Sequence, residues 1–459
     1  MSLVGERYAS YEMREIWSRE KKIIMERKLW IAVMKIQAEF GVEISKATIS
    51  DYERVLLDIK LGSIDSRELE LGHDVKARIE EFNALAGHEQ IHLGMTSRDL
   101  TENVELIQIK LAIELITNKA RVLLLKLADK SETLADTLIV ARTHNVPAQL
   151  TTLGKKFANW AEELEIAELN LENLLFRIPI RGIHGAVGTN LDLKELIGRN
   201  VEKFNEILIK ELGFERVLNA PAQIYPRSID FEVVASLFQL VASPNSMATN
   251  IRLMSGLGIA SEGLPKGKTG SSAMPHKINP RLSERLNSLA TILKGHLTMI
   301  ADISGTQWNE GDVSCSAVRR VALPDAFYVT DAILEIAIYL LDQIEFNDDE
   351  LKREIEVHTQ EVCSSSVLML AVKQGVGREL AHKAIKEHAI ASKRGADFFE
   401  LVLGDPSLEI GKGDIDKLKG DVKLLAGDAP AQAKKVAFSI KERLAKKIDL
   451  ANFHPSTLR

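Results

Sequence analysis

One stretch beginning at Asp99 limits the folds open to this chain more than any other feature. Its apolar residues recur every three or four positions, and the pattern continues to about Leu138. The first of them are Leu100, Val104, Ile107, Leu111 and Leu115. This spacing places one apolar face along an α-helix, and a helix of ~38 residues would be roughly 57 Å long. The stretch therefore predicts a very long helix.

Further runs with helical spacing follow and are separated by breaks that contain proline or glycine. They cover residues 150–175, 191–212, 228–258, 281–303 and 321–344. Alternating β-branched runs, which are typical of strands, are nearly absent. The sequence therefore predicts an all-α fold built around an extended bundle of long helices.

The chain length indicates more than one domain. At 459 residues, the chain exceeds the size of an ordinary single core. Shorter helical segments precede and follow the long runs. We therefore predict three helical domains: an N-terminal domain over 1–98, a central long-helix bundle over 99–357 and a C-terminal domain over 358–459.

Charge and cysteine content narrow the function. A net charge of −6 argues against a general nucleic-acid or membrane-surface binder, so an anionic ligand would need a local basic cluster. No apolar run approaches the ~18 residues of a membrane span. The two cysteines, Cys315 and Cys363, and an N-terminus without an apolar leader predict a cytoplasmic protein.

A segment rich in glycine and proline, residues 261–280, lies between two helical runs. It ends in Gly-Ser-Ser-Ala-Met-Pro-His-Lys-Ile-Asn-Pro and contains Lys266, Lys268 and Lys277. In a compact helical chain, a loop of this length is usually a lid or a binding loop. Its composition predicts a mobile, cationic loop for an anionic ligand, although a plain surface connection would have the same features.

Residues 88–99 contain two overlapping patterns. His88-Glu89-Gln90-Ile91-His92 matches the H-E-x-x-H pattern of zinc proteases, which requires a continuous helix. Glycines flank the match closely, so we do not expect such a helix here. Thr96 and Ser97 then predict a helix start whose N–H groups form an anion site, although an ordinary capping box would explain both residues.

Three other breaks hold polar residues that could contact a ligand. His144 could act as a general acid near neutral pH, or could simply be a polar residue at a kink. Gln223 lies between two prolines and could donate to a ligand. Ser316 and Arg320 would share one helix face, where they suit a carboxylate or phosphate, or form a solvated pair.

Together these segments resemble the fumarase/aspartase superfamily of homotetrameric lyases. The resemblance rests on residues 270–280, on Arg-Thr-His at 142–144 and on the His-x-Gly-x-Thr-Ser-x-Asp run at 92–99. His276 follows Met-Pro where fumarases carry Gly and argininosuccinate lyases carry Gln, and it points to the branch that acts on succinylated purine nucleotides. Further matches to that branch are Arg7-Tyr8, His73-Asp74 and Ser316…Arg320 followed by Leu-Pro-Asp at 323–325.

The resemblance covers nearly the whole chain and is weakest after about residue 400. It implies an all-α fold whose bundles join in a tetrameric core of about 20 helices, with each active site shared between three subunits. It implies a small-molecule nucleotide substrate and no need for a cofactor or metal. The implied reaction is β-elimination of fumarate from adenylosuccinate, giving AMP, and from the succinylated aminoimidazole carboxamide ribotide.

The resemblance also implies residue roles. Ser271 would be the base that removes the proton beside a carboxylate, and His144 would be the acid that protonates the leaving nitrogen. His73, Asp74 and His92 would help place phosphate and carboxylate groups. The residues implied to hold the succinyl part are Thr96, Ser97, Gln223, Lys277, Asn279 and Arg285. Those implied to hold the nucleotide phosphate end are Arg7, Tyr8, Ser316 and Arg320.

One position departs from the pattern of this branch. Many members carry Arg in a Glu-Arg-Asp triplet where this chain reads Glu310-Gly311-Asp312. A cation on the phosphate side is therefore missing at this position, and the nearby Arg319 is a candidate to replace it.

Three alternatives remain open on the sequence. Another superfamily member, such as a carboxymuconate cycloisomerase, can share Met-Pro-His-Lys. A structural role is the second, as in lens crystallins related to argininosuccinate lyase, although the retention of Ser271, His144 and Lys277 argues against it. The third is a zinc protease, which rests on the H-E-x-x-H match alone.

Overall fold

The structure is a computed structural model that describes residues 2–263, 274 and 277–447. Six helices precede the longest one: α1 (Leu3–Tyr8), α2 (Tyr11–Ile16), α3 (Arg19–Glu39), α4 (Lys46–Arg54), α5 (Leu61–Leu71) and α6 (Asp74–Ala86). The long central elements are α7 (Ser97–Thr133), α8 (Leu153–Arg177), α9 (Leu191–Ile197), α10 (Val201–Glu211), α11 (Ser228–Leu240), α12 (Ala242–Gly256), α13 (Arg281–Ile303) and α14 (Ser316–Gln343).

Shorter helices complete the described chain: α15 (Asp348–Val357), α16 (Thr359–Lys373), α17 (Arg378–Ser392), α18 (Phe398–Leu403), α19 (Lys412–Gly420) and α20 (Ala429–Leu444). Two short antiparallel pairs are present, β1 (Leu138–Thr143) with β2 (Val146–Thr152), and β3 (Ala260–Ser261) with β4 (Glu345–Phe346). The prediction of an all-α fold is confirmed.

The predicted long helix is α7, which has 37 residues and is roughly 55 Å long. It begins at Ser97 because Thr96 forms a capping box with Asp99, and the Thr96 N–H donates to the Asp99 carboxylate at 2.8 Å. The side of α7 that faces the core carries a row of fully buried apolar side chains, which include Leu106, Ile113 and Leu123. This helix sets the length of the molecule's central part.

One predicted run was wrong, and one predicted break has a structure that the sequence pattern did not predict. The run 228–258 is two helices that meet at Val241 and Ala242; Pro244 lies in the first turn of the second helix, where no helical N–H is needed. The break near Pro147 is the β1–β2 hairpin, and its turn residues His144 and Asn145 have φ values of 50° and 61°. This is the two-residue hairpin geometry in which both central residues have positive φ.

The buried apolar residues form three main clusters. The largest joins α7, α8 and α11–α14 and also receives Ala437, Ile440 and Leu444 of α20. The second joins α3 and α6 to the start of α7, and includes Phe204 and Leu208 of α10. The third joins α16–α18 to Val140 and Leu150 of the hairpin. The two predicted boundaries between the three domains remain predictions, since the second cluster and α20 combine segments that are distant in sequence.

Candidate active site

A cavity of ≈ 440 Å³ lies where the N-terminal ends of α6, α7 and α14 converge. Six of the residues singled out from the sequence line it: His73, Asp74, Ser97, Gln223, Ser316 and Arg320. They are contributed by α6, α7, α14 and the segment before α11. The fold therefore brings together residues that are as far apart in sequence as His73 and Arg320.

The start of α7 is held in place by buried polar contacts. Asp99 has no exposed surface, and its carboxylate accepts from the backbone N–H of Thr96 and of His184 and from the guanidinium of Arg181. These contacts fix the first turn of α7. Thr96 caps this turn, and Ser97 faces the cavity.

His73 and Asp74 begin α6 at the cavity wall. His73 caps the helix, and its Nδ1 accepts from the Lys76 N–H at 3.2 Å, which leaves Nε2 to carry the ring proton. Burial would raise the pKa of Asp74, but Arg78 and the Val75 N–H lower it below its usual value. Asp74 is therefore ionised and paired with Arg78 at 3.3 Å.

His92 lies just before the start of α7 and is not among the residues that line the cavity. The indole N–H of Trp30 donates to its Nδ1 at 3.1 Å. Burial lowers the pKa of His92 from 6.5 to about 4, although Asp99 opposes this. The ring is therefore neutral at pH 7 and carries its proton on Nε2, which makes it a hydrogen-bond donor rather than a cation.

The wall beside Ser316 is a buried ionic network. Arg319 donates from Nε to Asp230 at 2.7 Å, from one terminal nitrogen to Glu105 at 2.7 Å and from the other to the hydroxyl of Tyr225. Burial raises the pKa of the Tyr225 hydroxyl well above its ordinary value, so this group is neutral. Burial opposes the ionisation of Glu105, yet Arg319 and Lys22 lower its pKa to about 2.

Arg7, Tyr8 and Arg285 form a second group outside the cavity. Arg7 Nε donates to the Tyr8 hydroxyl at 3.2 Å, and the guanidinium of Arg285 lies 5.1 Å from the centroid of the Tyr8 ring. The structure therefore places Arg285, expected at the succinyl part, beside two residues expected at the phosphate end. Within one chain, none of these three residues lines the cavity that holds Ser316 and Arg320.

The segment before α13 holds Lys277 and Asn279. Lys277 is exposed, and its N–H donates to the carbonyl of Met274 at 3.0 Å. The buried carboxylate of Glu262 accepts from the N–H groups of Leu282 and Ser283 at 2.8 and 2.7 Å, and so caps the N-terminus of α13. Residues 264–273, 275 and 276 of the predicted lid lie outside the described residues, and these include Ser271 and His276.

His144 lies at the exposed turn of the β1–β2 hairpin, far from the cavity. The neighbouring Arg142 pairs with Glu354 of α15, which follows the C-terminal end of α14. Ser316 and Arg320 are at the opposite end of α14, whose 28 residues extend roughly 42 Å. One chain therefore does not bring His144 to the cavity.

The H-E-x-x-H match is not helical. Residues 88–92 form an irregular segment between α6 and α7. His88 Nε2 lies 2.9 Å from Asp51, whereas His92 Nδ1 accepts from Trp30. The two rings therefore have separate partners, and the helical arrangement that a zinc protease requires is absent from this described segment.

The cavity also contains charged residues that sequence reasoning missed: Lys22, Arg98 and Glu105. Each occupies a helix that reads as an amphipathic surface element, so a solvated position was the simpler interpretation. A weak signal was present for Arg98, because it directly follows Thr96-Ser97 at a helix start.

Comparison with known proteins identifies close relatives over most of the chain. The lyase family model matches residues 6–295, and the model for the adenylosuccinate lyase C-terminus matches residues 361–436. The adenylosuccinate lyase of Schistosoma mansoni is 32% identical over 391 residues, which is 83% of this chain and 81% of the relative. That of Saccharomyces cerevisiae is 32% identical over 393 residues, with the same shares covered.

A solved structure shares the fold at lower identity. The 3-carboxy-cis,cis-muconate lactonizing enzyme of Pseudomonas putida superposes with a TM-score of 0.85 over 96% of this chain and 99% of that one, at 21% identity. This likeness supports the fold. Among the described residues, no helix is both long and apolar enough to cross a membrane.

Proposed function

The chain belongs to the adenylosuccinate lyase family, and we propose that it cleaves adenylosuccinate to AMP and fumarate. We propose the same elimination for the succinylated aminoimidazole carboxamide ribotide. The observation that carries the proposal is the cavity that gathers His73, Ser97, Gln223, Ser316 and Arg320. Its hydroxyl, amide and guanidinium groups suit a ligand with several anionic groups.

The reaction removes a proton from the carbon that bears a carboxylate and breaks the bond from the adjacent carbon to nitrogen. The electron pair of the C–H bond forms the double bond of fumarate, and the leaving nitrogen takes a proton. We propose Ser271 as the base and His144 as the acid. Serine is a weak base at its free pKa, so nearby cations must stabilise the alkoxide and the developing negative charge.

The proposed substrate contacts are the residue roles that the family resemblance implies. We propose that Ser316 and Arg320, with Arg7 and Tyr8, hold the phosphate end of the nucleotide and that His73 helps to place it. We propose Asp74 as a further substrate contact, away from the phosphate. Neutral His92 supplies a hydrogen bond without adding charge. The side chains proposed for the succinyl carboxylates are Thr96, Ser97, Gln223, Lys277, Asn279 and Arg285.

A complete site then requires more than one copy of the chain. The cavity, the Arg7–Tyr8–Arg285 group and His144 occupy three separate places on one chain, and α14 is roughly 42 Å long. We therefore propose a homotetramer whose active sites each combine residues of three subunits. We also propose a cytoplasmic location, since both cysteines are free thiols, as expected in a reducing compartment.

The test is turnover of adenylosuccinate by the purified protein, followed by the change in absorbance. We expect cleavage by the wild-type protein, and a loss of about 10²–10⁴-fold in kcat for both Ser271→Ala and His144→Ala. Substrate binding and thermal unfolding should change little in either variant. A wild-type protein that turns over neither purine substrate would overturn the proposal, and near-normal kcat in Ser271→Ala would overturn the base assignment.

A further inference from the structure

Four cationic side chains line the cavity: Lys22, Arg98, Arg319 and Arg320. They differ in the hydrogen-bond and ion-pair partners that each has within the described residues. Arg319 is 5% exposed, and each of its guanidinium nitrogens donates to a neighbour in the ionic network. It therefore supports the wall, and every one of its three nitrogens already has a partner within the network. Lys22 lies 3.7 Å from Glu105, the carboxylate that Arg319 also contacts.

Arg98 is placed differently. One of its terminal nitrogens donates to Glu102 at 3.1 Å. Glu102 already accepts a two-point contact from Arg227, at 2.8 and 2.9 Å, and its negative charge is therefore matched without Arg98. Among the described residues, no partner is recorded for the remaining nitrogens of Arg98. One side of the Arg98 guanidinium is thus held by Glu102, and its other nitrogens are able to donate to a ligand.

The charges around the cavity do not cancel. The connected groups and Arg320 include five cations and three carboxylates, an excess of two positive charges. The cations are Lys22, Arg98, Arg227, Arg319 and Arg320, and the carboxylates are Glu102, Glu105 and Asp230. The remaining carboxylate at the wall, Asp74, shares Arg78 with the buried carboxyl group of Glu26. A phosphate monoester carries a charge of about −1.5 to −2 at pH 7, which is opposite in sign to the excess within this connected set.

The loop that carries Gly311, residues 304–315, contains no lysine or arginine. Gly311 has φ of 153°, and a Cβ there would lie 3.3 Å from Gln223 Cβ. The N–H of Gln223 donates to the carbonyl of Glu310 at 2.8 Å, which holds this loop against the cavity wall. A side chain at position 311 would be both strained and crowded. Within this chain, the cations that line the cavity therefore come from the helices.

We propose that Arg98, at the start of α7, binds the phosphate monoester of the nucleotide together with Arg320 and the Ser316 hydroxyl. The inference rests on the proposed function and adds to it a residue that determines specificity for the phosphorylated nucleotide over the nucleoside. Arg98 and Arg320 approach the cavity from different helices, so two planar forks can each donate to phosphate oxygens. Lys22 adds positive charge without a direct contact.

The experiment compares wild-type protein with Arg98→Gln and Arg98→Lys. Inhibition constants are measured for AMP, adenosine and inorganic phosphate, with adenylosuccinate cleavage as the readout, and direct binding of AMP and of adenosine is measured by calorimetry. We expect Arg98→Gln to weaken the binding of AMP and of inorganic phosphate by about 10- to 100-fold, which is the effect of losing a hydrogen bond to a charged group. The affinity for adenosine should change by less than about 2-fold, because adenosine has no phosphate for Arg98 to contact.

The controls separate a binding role from a structural one. Arg98→Lys keeps the charge and should recover part of the AMP affinity, whereas Arg378→Gln removes an exposed arginine of α17 and should change nothing. Equal weakening of AMP and adenosine, or unchanged AMP affinity in Arg98→Gln, would overturn the inference while the proposed function stands. If the wild-type protein cleaves no purine substrate, the calorimetric comparison of AMP with adenosine still decides the role of Arg98.

Discussion

Two neighbouring arginines at the start of α14 have opposite environments. Arg319 is buried and balances Asp230 and Glu105, whereas Arg320 is exposed at the cavity. The helix turns by about 100° per residue, so adjacent positions face different surroundings. One arginine therefore supports the fold of the site, and its neighbour is available to a ligand.

Replacing these arginines one at a time should separate stability from binding. Arg319→Met leaves the buried Asp230 without its cation and leaves Glu105 with Lys22 alone. We therefore expect the free energy of unfolding to fall by about 3–5 kcal/mol. Arg320→Met should change it by less than about 0.5 kcal/mol but raise KM for the nucleotide. Urea unfolding at fixed protein concentration measures the difference, and equal stability losses would contradict this division of roles.

His92 provides a test by pH. Its folded pKa of about 4 lies below the ordinary 6.5. Between these values the unfolded chain binds a proton that the folded chain does not, so the contribution of His92 to stability is lost as the pH falls from 6.5 towards 4. We expect selectively ¹⁵N-labelled histidine to show a neutral ring with the proton on Nε2 at pH 7, and His92→Gln identifies its signal. A ring that titrates near 6.5 would count against this assignment.

At the scale of elements, the spacing of apolar residues predicted the long helices, because a helix depends on local sequence pattern. The stripe from Leu100 to Leu115 predicted α7, and the run 281–303 predicted α13 with both ends correct. The β1–β2 hairpin was missed, although the β-branched Ile139 and Val140 and the turn residue Asn145 carried a weak signal for it. Its strands are held by pairing with each other and by packing on α16, which a helical pattern search does not detect.

The sequence predicted residues of the candidate site only where they belong to a recognisable motif or break. His73, Ser97, Gln223, Ser316 and Arg320 were expected at the site and line one cavity. Their convergence depends on how α6, α7 and α14 pack, which local spacing does not determine. For the same reason, the sequence alone indicates that Arg98 and Lys22 are ordinary surface charges. Only the packing of the helices around the cavity shows that both line it.

The crossing of α7 and α8 depends on one glycine. A Cβ at Gly154 would lie 2.4 Å from the carbonyl oxygen of Ser131 and 2.6 Å from the backbone nitrogen of Ala135. We expect Gly154→Ala to cost about 1–3 kcal/mol of stability, because the contact is with backbone that cannot move aside cheaply. Gly62→Ala in α5, where nothing lies within 4 Å, is the control and should be neutral or slightly stabilising. Thermal unfolding compares the two, and an unchanged Tm for Gly154→Ala would contradict the close crossing.

At the scale of the whole molecule, α7 and α14 act as rigid spacers. Their lengths keep the cavity at one end of the bundle and the His144 hairpin at the other. Packing within one chain cannot close that distance, because helices of this length are fixed along most of their surface by the central core. The arrangement favours assembly of sites between chains.

Mixing two inactive variants tests this assembly. His144→Ala and Ser271→Ala remove groups that we propose to come from different subunits. After subunit exchange, random tetramers should recover about a quarter of wild-type activity per site, since each site needs an intact residue from two independent chains. Size-exclusion chromatography and native mass spectrometry confirm the exchange. No recovered activity in mixed tetramers would exclude shared sites.

The length of α7 also has a genetic consequence under the proposed assembly. A cell that carries two different defective alleles, one altered near the hairpin and the other near the cavity, would make mixed oligomers with some intact sites. Two alleles altered at the same end of the helix would not. The position of a mutation along α7 and α14 would then decide whether two recessive alleles complement one another, independently of how severe each is alone.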